Sequence, residues 1–202
     1  MIPDMNLRSL ALAPAFALAF ALPAAAEKIP LNEISRYLNS LKTVVADFSQ
    51  VNADGSVTPG KVYIQRPGRV RFEYKGDQTL VLASGGQVAV FDKKSNSGAQ
   101  QYPLSKTPLN IILADNVNLG RNGMVTGHSE KKNSTIVKAH DPAHPEYGNI
   151  QMVFTANPTE LRQWVVTDDK GKRTTVILGD MQKGVGIPAS KFSINNEVAR
   201  RK

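Results

Sequence analysis

Between positions 69 and 75 the chain alternates without a break. Val70, Phe72 and Tyr74 fall on one side of an extended strand, and Arg69, Arg71 and Glu73 on the other. Strict period-two alternation predicts a sheet with one dry face and one wet face. The pattern recurs along most of the sequence. Residues 43–51 alternate into a turn at Asp54-Gly55, a favoured hairpin dipeptide, and a second strand climbs through Val62 and Ile64 to Arg66-Pro67-Gly68. Residues 79–83 and 87–92 flank Ser84-Gly85-Gly86, and 100–104 follow the polar loop 93–98. Five more strands are predicted over 124–131, 134–140, 149–155, 161–168 and 173–181, with Asp168-Asp169-Lys170-Gly171 as a hairpin turn. Tight turns between successive strands make the sheet antiparallel and meandering, with about eleven strands in a single α+β domain.

Two stretches depart from period two. Leu31, Ile34, Leu38 and Leu41 recur at three- and four-residue spacing, which predicts a short amphipathic helix over 31–41. Residues 107–115 predict an apolar helix of about two turns, with Thr107 as N-cap and Pro108 as first helical residue. Leu109, Ile112 and Leu113 share one side of it and Ile111 leans to the other. So short and apolar a helix is unstable alone in water, so it must be covered or cover something. The tail, from Phe192 to the basic Arg200-Arg201-Lys202, reads as frayed.

Residues 1–26 read as a secretory signal peptide: Arg8, an apolar run from Leu10 to Leu22, and small residues at Ala24 and Ala26, with cleavage before Glu27. The run is short for a bilayer span, which argues against a retained anchor. The domain proper is then 27–202, a soluble monomer in the exported compartment. The chain carries a formal charge of +8 and no cysteine. That composition excludes disulfides, a thiol nucleophile, Cys-bound metal and N-terminal acylation of the chain itself. In an exported protein the charge points to anionic membrane or acidic protein surfaces rather than to nucleic acid.

Catalytic signals are poor. His140-Asp141-Pro142-Ala143-His144 contains metal-type ligands, but its prolines keep them off one helical face, and it reads as a polar loop. No nucleophile elbow, P-loop or dinucleotide fingerprint occurs, so neither catalytic residue, metal site nor cofactor is expected. A hydrolase using His140 and Asp141 is the minor alternative. The apolar strand positions are more informative. Val70, Phe72, Leu80, Leu82, Val88, Val90, Met152, Phe154 and Trp164 are expected to line an apolar cavity, its wall mostly aliphatic, beside an ordinary core.

The segments 41–50 (LKTVVADFSQ), 65–74 (QRPGRVRFEY), 80–92 (LVLASGGQVAVFD) and 101–115 (QYPLSKTPLNIILAD), in this order and spacing, resemble the periplasmic outer-membrane lipoprotein carrier family, LolA. The resemblance covers nearly all of 27–202. It implies an open, unclosed antiparallel β-barrel with a lid of short helices over an apolar cavity. It also implies that Arg66 latches the lid by hydrogen bonds, that Val70 and Phe72 line the acyl-chain cavity, and that Pro108, Leu109, Ile111, Ile112 and Leu113 belong to the lid. The implied partners are acylated lipoproteins, an inner-membrane lipoprotein-releasing ABC transporter, and an outer-membrane acceptor or the membrane itself. The other reading is a sensor of lipid or lipoprotein on the same fold.

Overall fold

The computed structural model describes residues 28–76, 78–92 and 98–201; the predicted signal peptide and most of the 93–98 loop lie outside them. Eleven strands form one antiparallel sheet: β1 Thr43–Val51, β2 Val57–Gln65, β3 Arg69–Tyr74, β4 Leu80–Ser84, β5 Gln87–Phe91, β6 Gln100–Pro103, β7 Val125–Lys131, β8 Ser134–Ala139, β9 Asn149–Thr155, β10 Glu160–Thr167 and β11 Arg173–Lys183. Every hairpin predicted from alternation is present. The order β6-β5-β4-β3-β2-β1-β11-β10-β9-β8-β7 adds what turns alone do not reveal: β11 returns to pair with β1 in the middle of the sheet. Two arms therefore spread from a central β1–β11 pair, and β6 and β7 end the sheet as unjoined edges.

The sheet is strongly curled. Phe72 on β3 and Trp164 on β10 lie four strand spacings apart in order, about 19 Å on a flat sheet. Their ring centroids are 6.3 Å apart, edge to face. Bulges serve this curvature. An extra β10 residue between Leu161 and Gln163 lets Leu161 and Trp164 both face inwards despite their three-residue spacing. The concave face carries one continuous core, from Val88 on β5 to Val137 on β8.

Helix α1 (Leu31–Ser40) lays Ile34 and Leu38 onto that face, as its spacing predicts. The second helical piece differs from expectation. A 3-10 turn (Leu104–Lys106) comes first, and α2 is one turn only, Asn110–Leu113. Thr107 does not cap it; its Oγ1 donates to the Leu104 carbonyl at 2.8 Å and closes the preceding turn. Pro103 and Pro108 carry no N–H, so no continuous ladder can run through this stretch. Ile111, Ile112 and Leu113 are all buried nonetheless.

A third helix, α3 (Ile194–Arg200), stands where a frayed tail was expected. Ser193 caps it, its Oγ accepting the Asn196 N–H at 3.2 Å. With a 3-10 turn over Ala189–Phe192, it packs on the outer face of β3 and β4. The expected wet face of β3 is thus covered here, and Arg71 is buried. The segment needs a dry face, and Phe192 supplies the anchor.

Candidate functional site

The predicted site residues divide between the two faces of the sheet. Val70, Phe72, Val88, Met152, Phe154 and Trp164 belong to the concave core together with Ile34, Leu38, Ile111, Ile112, Leu113, Val117 and Leu119 from the helices and the segment after α2. Val90 shares the inner side of β5 with Val88 and is half-buried opposite Val81. Leu80 and Leu82 face the other way. They form a separate outer cluster with Ala89, Phe91 and Phe192. The period-two phase of β4 places Val81 and Ala83 inside instead, and both pack with the concave core. Because β4 is apolar on both faces, alternation could not tell its inner side from its outer one.

The lid residues Pro108 and Ile111 border a cavity of about 170 Å³ beside Val117, Arg121, Met124 and Tyr147. A larger one, about 960 Å³, lies on the outer face between α3 and β3–β5. There Arg71 pairs with Glu73 and Glu197, and Glu197 also takes bonds from Arg200 and Arg201. On the concave face, Ile34 and Leu38 of α1 and Ile111, Ile112 and Leu113 of α2 pack with the sheet residues, so the short helices form a lid over it.

Arg66 hydrogen-bonds to the ends of both α1 and α2. It lies just after β2, in the Arg66-Pro67-Gly68 turn leading into β3. Its Nη1 donates to the Leu38 carbonyl at the end of α1. Its Nη2 donates to Asn39 Oδ1 at 3.1 Å, to the Ala114 carbonyl, and to the Asp115 carbonyl at 3.5 Å. A cation at the carbonyl end of a helix also meets a favourable helix dipole. The main chain adds one more bond, from the Gly68 N–H to the Leu113 carbonyl at 2.9 Å. The first arm of the sheet thus grips both α1 and the end of α2 through one turn.

Burial pushes the Arg66 guanidinium below the usual arginine range, and the charge of Asp115 partly offsets this. Its hydrogen-bond acceptors are carbonyls and an amide, and among the described residues its Nε has none. A desolvated cation held by neutral acceptors is firm in geometry but modest in net energy, since the bonds offset a desolvation cost. Asn39 was not singled out from sequence, though it bonds both Arg66 and the segment after α2. Its only signal was its place on the polar side of α1.

The His140 loop shows no sign of convergent chemistry. His140 Nε2 lies 2.8 Å from the Gly123 carbonyl, and His144 Nδ1 lies 3.0 Å from Glu146 Oε1 on an exposed turn. Among the described residues no group of three or more His, Asp or Glu side chains is placed to hold a metal.

The molecule is thus of the class of unclosed antiparallel barrels whose apolar concave face is covered by short helices. The comparisons specify the family: residues 39–195 match the model for the outer membrane lipoprotein carrier protein LolA, and the chain belongs to that family. It is 24% identical over 198 residues to the outer-membrane lipoprotein carrier protein of Methylococcus capsulatus, covering 90% of this chain and 94% of the relative. Against the protein of the same name from Azotobacter vinelandii it is 24% identical over 186 residues, covering 87% and 89%. Among solved structures, a LolA superfamily protein of Nitrosomonas europaea aligns with a TM-score of 0.44 at 9% identity, covering 83% of this chain and 99% of that one.

Proposed function

We propose that this protein is a periplasmic chaperone that shields the acyl chains of lipoproteins. It takes them from an inner-membrane lipoprotein-releasing ABC transporter and passes them to an outer-membrane acceptor or to the membrane itself. It works as a carrier without catalysis, and residues 1–26 direct its export. The observation that carries this reading is the Arg66 bridge, one buried cation holding two lid elements over an apolar face. Membership of the lipoprotein carrier family supports the choice of cargo.

Acyl chains entering the concave face take the place of the lid. Ile34, Leu38 and the Ile111–Leu113 trio occupy apolar surface that hydrocarbon would otherwise cover. Each buried methylene contributes about 0.8 kcal/mol, so two or three fatty chains bring tens of kcal/mol of transfer free energy. The lid therefore exchanges one apolar covering for another. Its latch has only to set the balance, and a few hydrogen bonds of about 0.5–1.5 kcal/mol each, more where charged, do so.

The test is native mass spectrometry of protein purified from the periplasm, wild type beside Arg66→Leu, with transfer between reconstituted membranes measured in parallel. Co-purified acylated polypeptide whose amount changes with the substitution is the expected result. An empty protein that takes up no lipoprotein, or a transfer rate indifferent to Arg66, overturns the reading. The mass of the same sample reads export directly: a mature chain beginning at Glu27 is expected.

A further inference from the structure

Asn39 uses every part of its amide. Its Oδ1 accepts from Arg66 Nη2 at 3.1 Å and from the Val117 N–H at 2.8 Å. Its Nδ2 donates to the Val117 carbonyl at 2.9 Å and to Asn116 Oδ1 at 3.2 Å. The side chain thus pairs with the Val117 backbone on both its polar groups, much as a neighbouring strand would. One turn earlier on the same helix face, Ser35 Oγ accepts the Leu119 N–H at 3.1 Å. Helix α1 and residues 116–119 are therefore stitched along two points four residues apart.

Helix α1 is also tied to the second arm of the sheet. The Tyr37 hydroxyl accepts the Leu161 N–H at 3.0 Å, and the Glu33 carboxylate accepts from Thr159 Oγ1 at 2.6 Å. Arg66 and Gly68 reach the lid from the first arm. Between these two sets of bonds sits Asn39, the side chain that touches both α1's partner segment and the latch cation.

We propose that Asn39 is the positioning residue of the Arg66 latch. It clamps the segment after α2 to α1 and holds the guanidinium between the two. The lid then parts from the first arm at Arg66, while the seam between α1 and residues 116–119 stays closed and moves as one body. This rests on the reading of Arg66 as a latch. The geometry gives the reason for a carboxamide: the oxygen serves the cation and an N–H at once, while the nitrogen donates to the Val117 carbonyl.

Trp164, the sole tryptophan, reports opening, because it is buried on the concave core against Phe72. Acrylamide quenching of its emission is compared for wild type, Asn39→Ala, Asn39→Asp, Arg66→Leu and the double variant Asn39→Ala/Arg66→Leu. Asn39→Ala is expected to raise the open population roughly two- to tenfold, the span of one lost hydrogen bond. Asn39→Asp keeps the Oδ1 acceptor and strengthens its hold on the cation, but it sets a second acceptor oxygen against the Val117 carbonyl, so its open population should fall between those of the wild type and Asn39→Ala. With Arg66→Leu already present, Asn39→Ala should add less than about twofold, as expected for residues acting through one another. Equal effects with and without Arg66, or Asn39→Asp opening the lid as far as Asn39→Ala, would show a mere structural clamp and overturn the proposal. The same proteins are offered an acylated peptide. Quenching that follows the expected coupling while even the wild type takes up no peptide leaves the positioning role standing and defeats the carrier reading. Uptake by the wild type without the coupling does the reverse.

Discussion

Arg71 and Glu197 form a buried ion pair, Nη1 to Oε2 at 3.1 Å, across 126 positions of sequence. The pair bolts α3 to the outer face of β3. Arg71 Nε also donates to Glu73 at 2.6 Å, and its Nη1 to the Lys191 carbonyl at 3.1 Å. Lys191 Nζ reaches Glu73 at 3.0 Å, and Glu197 receives further bonds from Arg200 and Arg201. The C-terminal segment is therefore part of the scaffold that supports Val70 and Phe72 from behind.

Glu197→Ala leaves the buried Arg71 with Glu73 and the Lys191 carbonyl as partners, so stability should fall by about 1–3 kcal/mol, less than for a wholly unpaired buried charge, read from urea unfolding. The carboxyls also carry a pH signature. Desolvation pushes Glu197 up, but bonds from Arg201, Arg200 and Arg71 outweigh it and hold the group below the ordinary glutamate range. Glu73 is lowered in the same way by Arg71 and Lys191. A lowered folded value means the stabilisation is complete above the unfolded value of about 4.3 and is lost as pH falls through the folded one. The urea midpoint should therefore drop below about pH 4.3, and Glu197→Gln should flatten that drop while lowering the midpoint at neutral pH.

Phe192 anchors the same segment by packing rather than charge. It is buried with Leu80, Leu82, Ala89 and Phe91 on the outer face. Phe192→Ala should cost about 3 kcal/mol, the usual scale for a buried ring. Thermal unfolding measures the loss. Folded-state Trp164 emission should stay unchanged, since Trp164 lies in the concave cluster on the opposite side of the sheet.

These outer contacts mark where the sequence stopped being legible. Alternation and turn dipeptides place all eleven strands because each hairpin is a local event. The β1–β11 pairing joins distant segments, and no local signal records it. The wet face of β3 reads as solvated because Arg71 and Glu73 are charged; their partners lie beyond residue 190. The resemblance singles out Arg66 as the proposed latch, but its acceptors are mostly backbone carbonyls, which any residue type could provide. Asn39 is the exception, a side-chain partner hidden on an ordinary polar helix face.

Gly60 is a case where packing decides against a general rule. Replacing a glycine by alanine commonly stabilises by about 0.4–1 kcal/mol through the unfolded state. Gly60 lies on β2 directly between Phe48 and Tyr74, whose rings meet edge to face at 5.3 Å. A Cβ there would overlap the Glu73 carbonyl and the ring of Phe48. Backbone cannot yield as a flexible side chain would, so overpacking of about 1–3 kcal/mol prevails. Gly60→Ala should lower the urea midpoint, and a rise would show that Phe48 swings aside freely.

Charge alone does not explain the contacts of Arg66, the proposed latch, and Arg66→Lys separates charge from shape. The guanidinium fork reaches Leu38 and Asn39 on one side and Ala114 and Asp115 on the other. A lysine carries the same charge on a single nitrogen, with no planar fork to span two elements. It must also be desolvated at a position only 8% exposed, where burial already disfavours a cation. Arg66→Lys is therefore expected to behave like Arg66→Leu, with acrylamide quenching of Trp164 raised by a similar factor and overall stability nearly that of the wild type. Quenching restored to the wild-type level would mean that a point charge near the α1 carbonyl end suffices to hold the lid, with the carbonyls of Ala114 and Asp115 as bystanders.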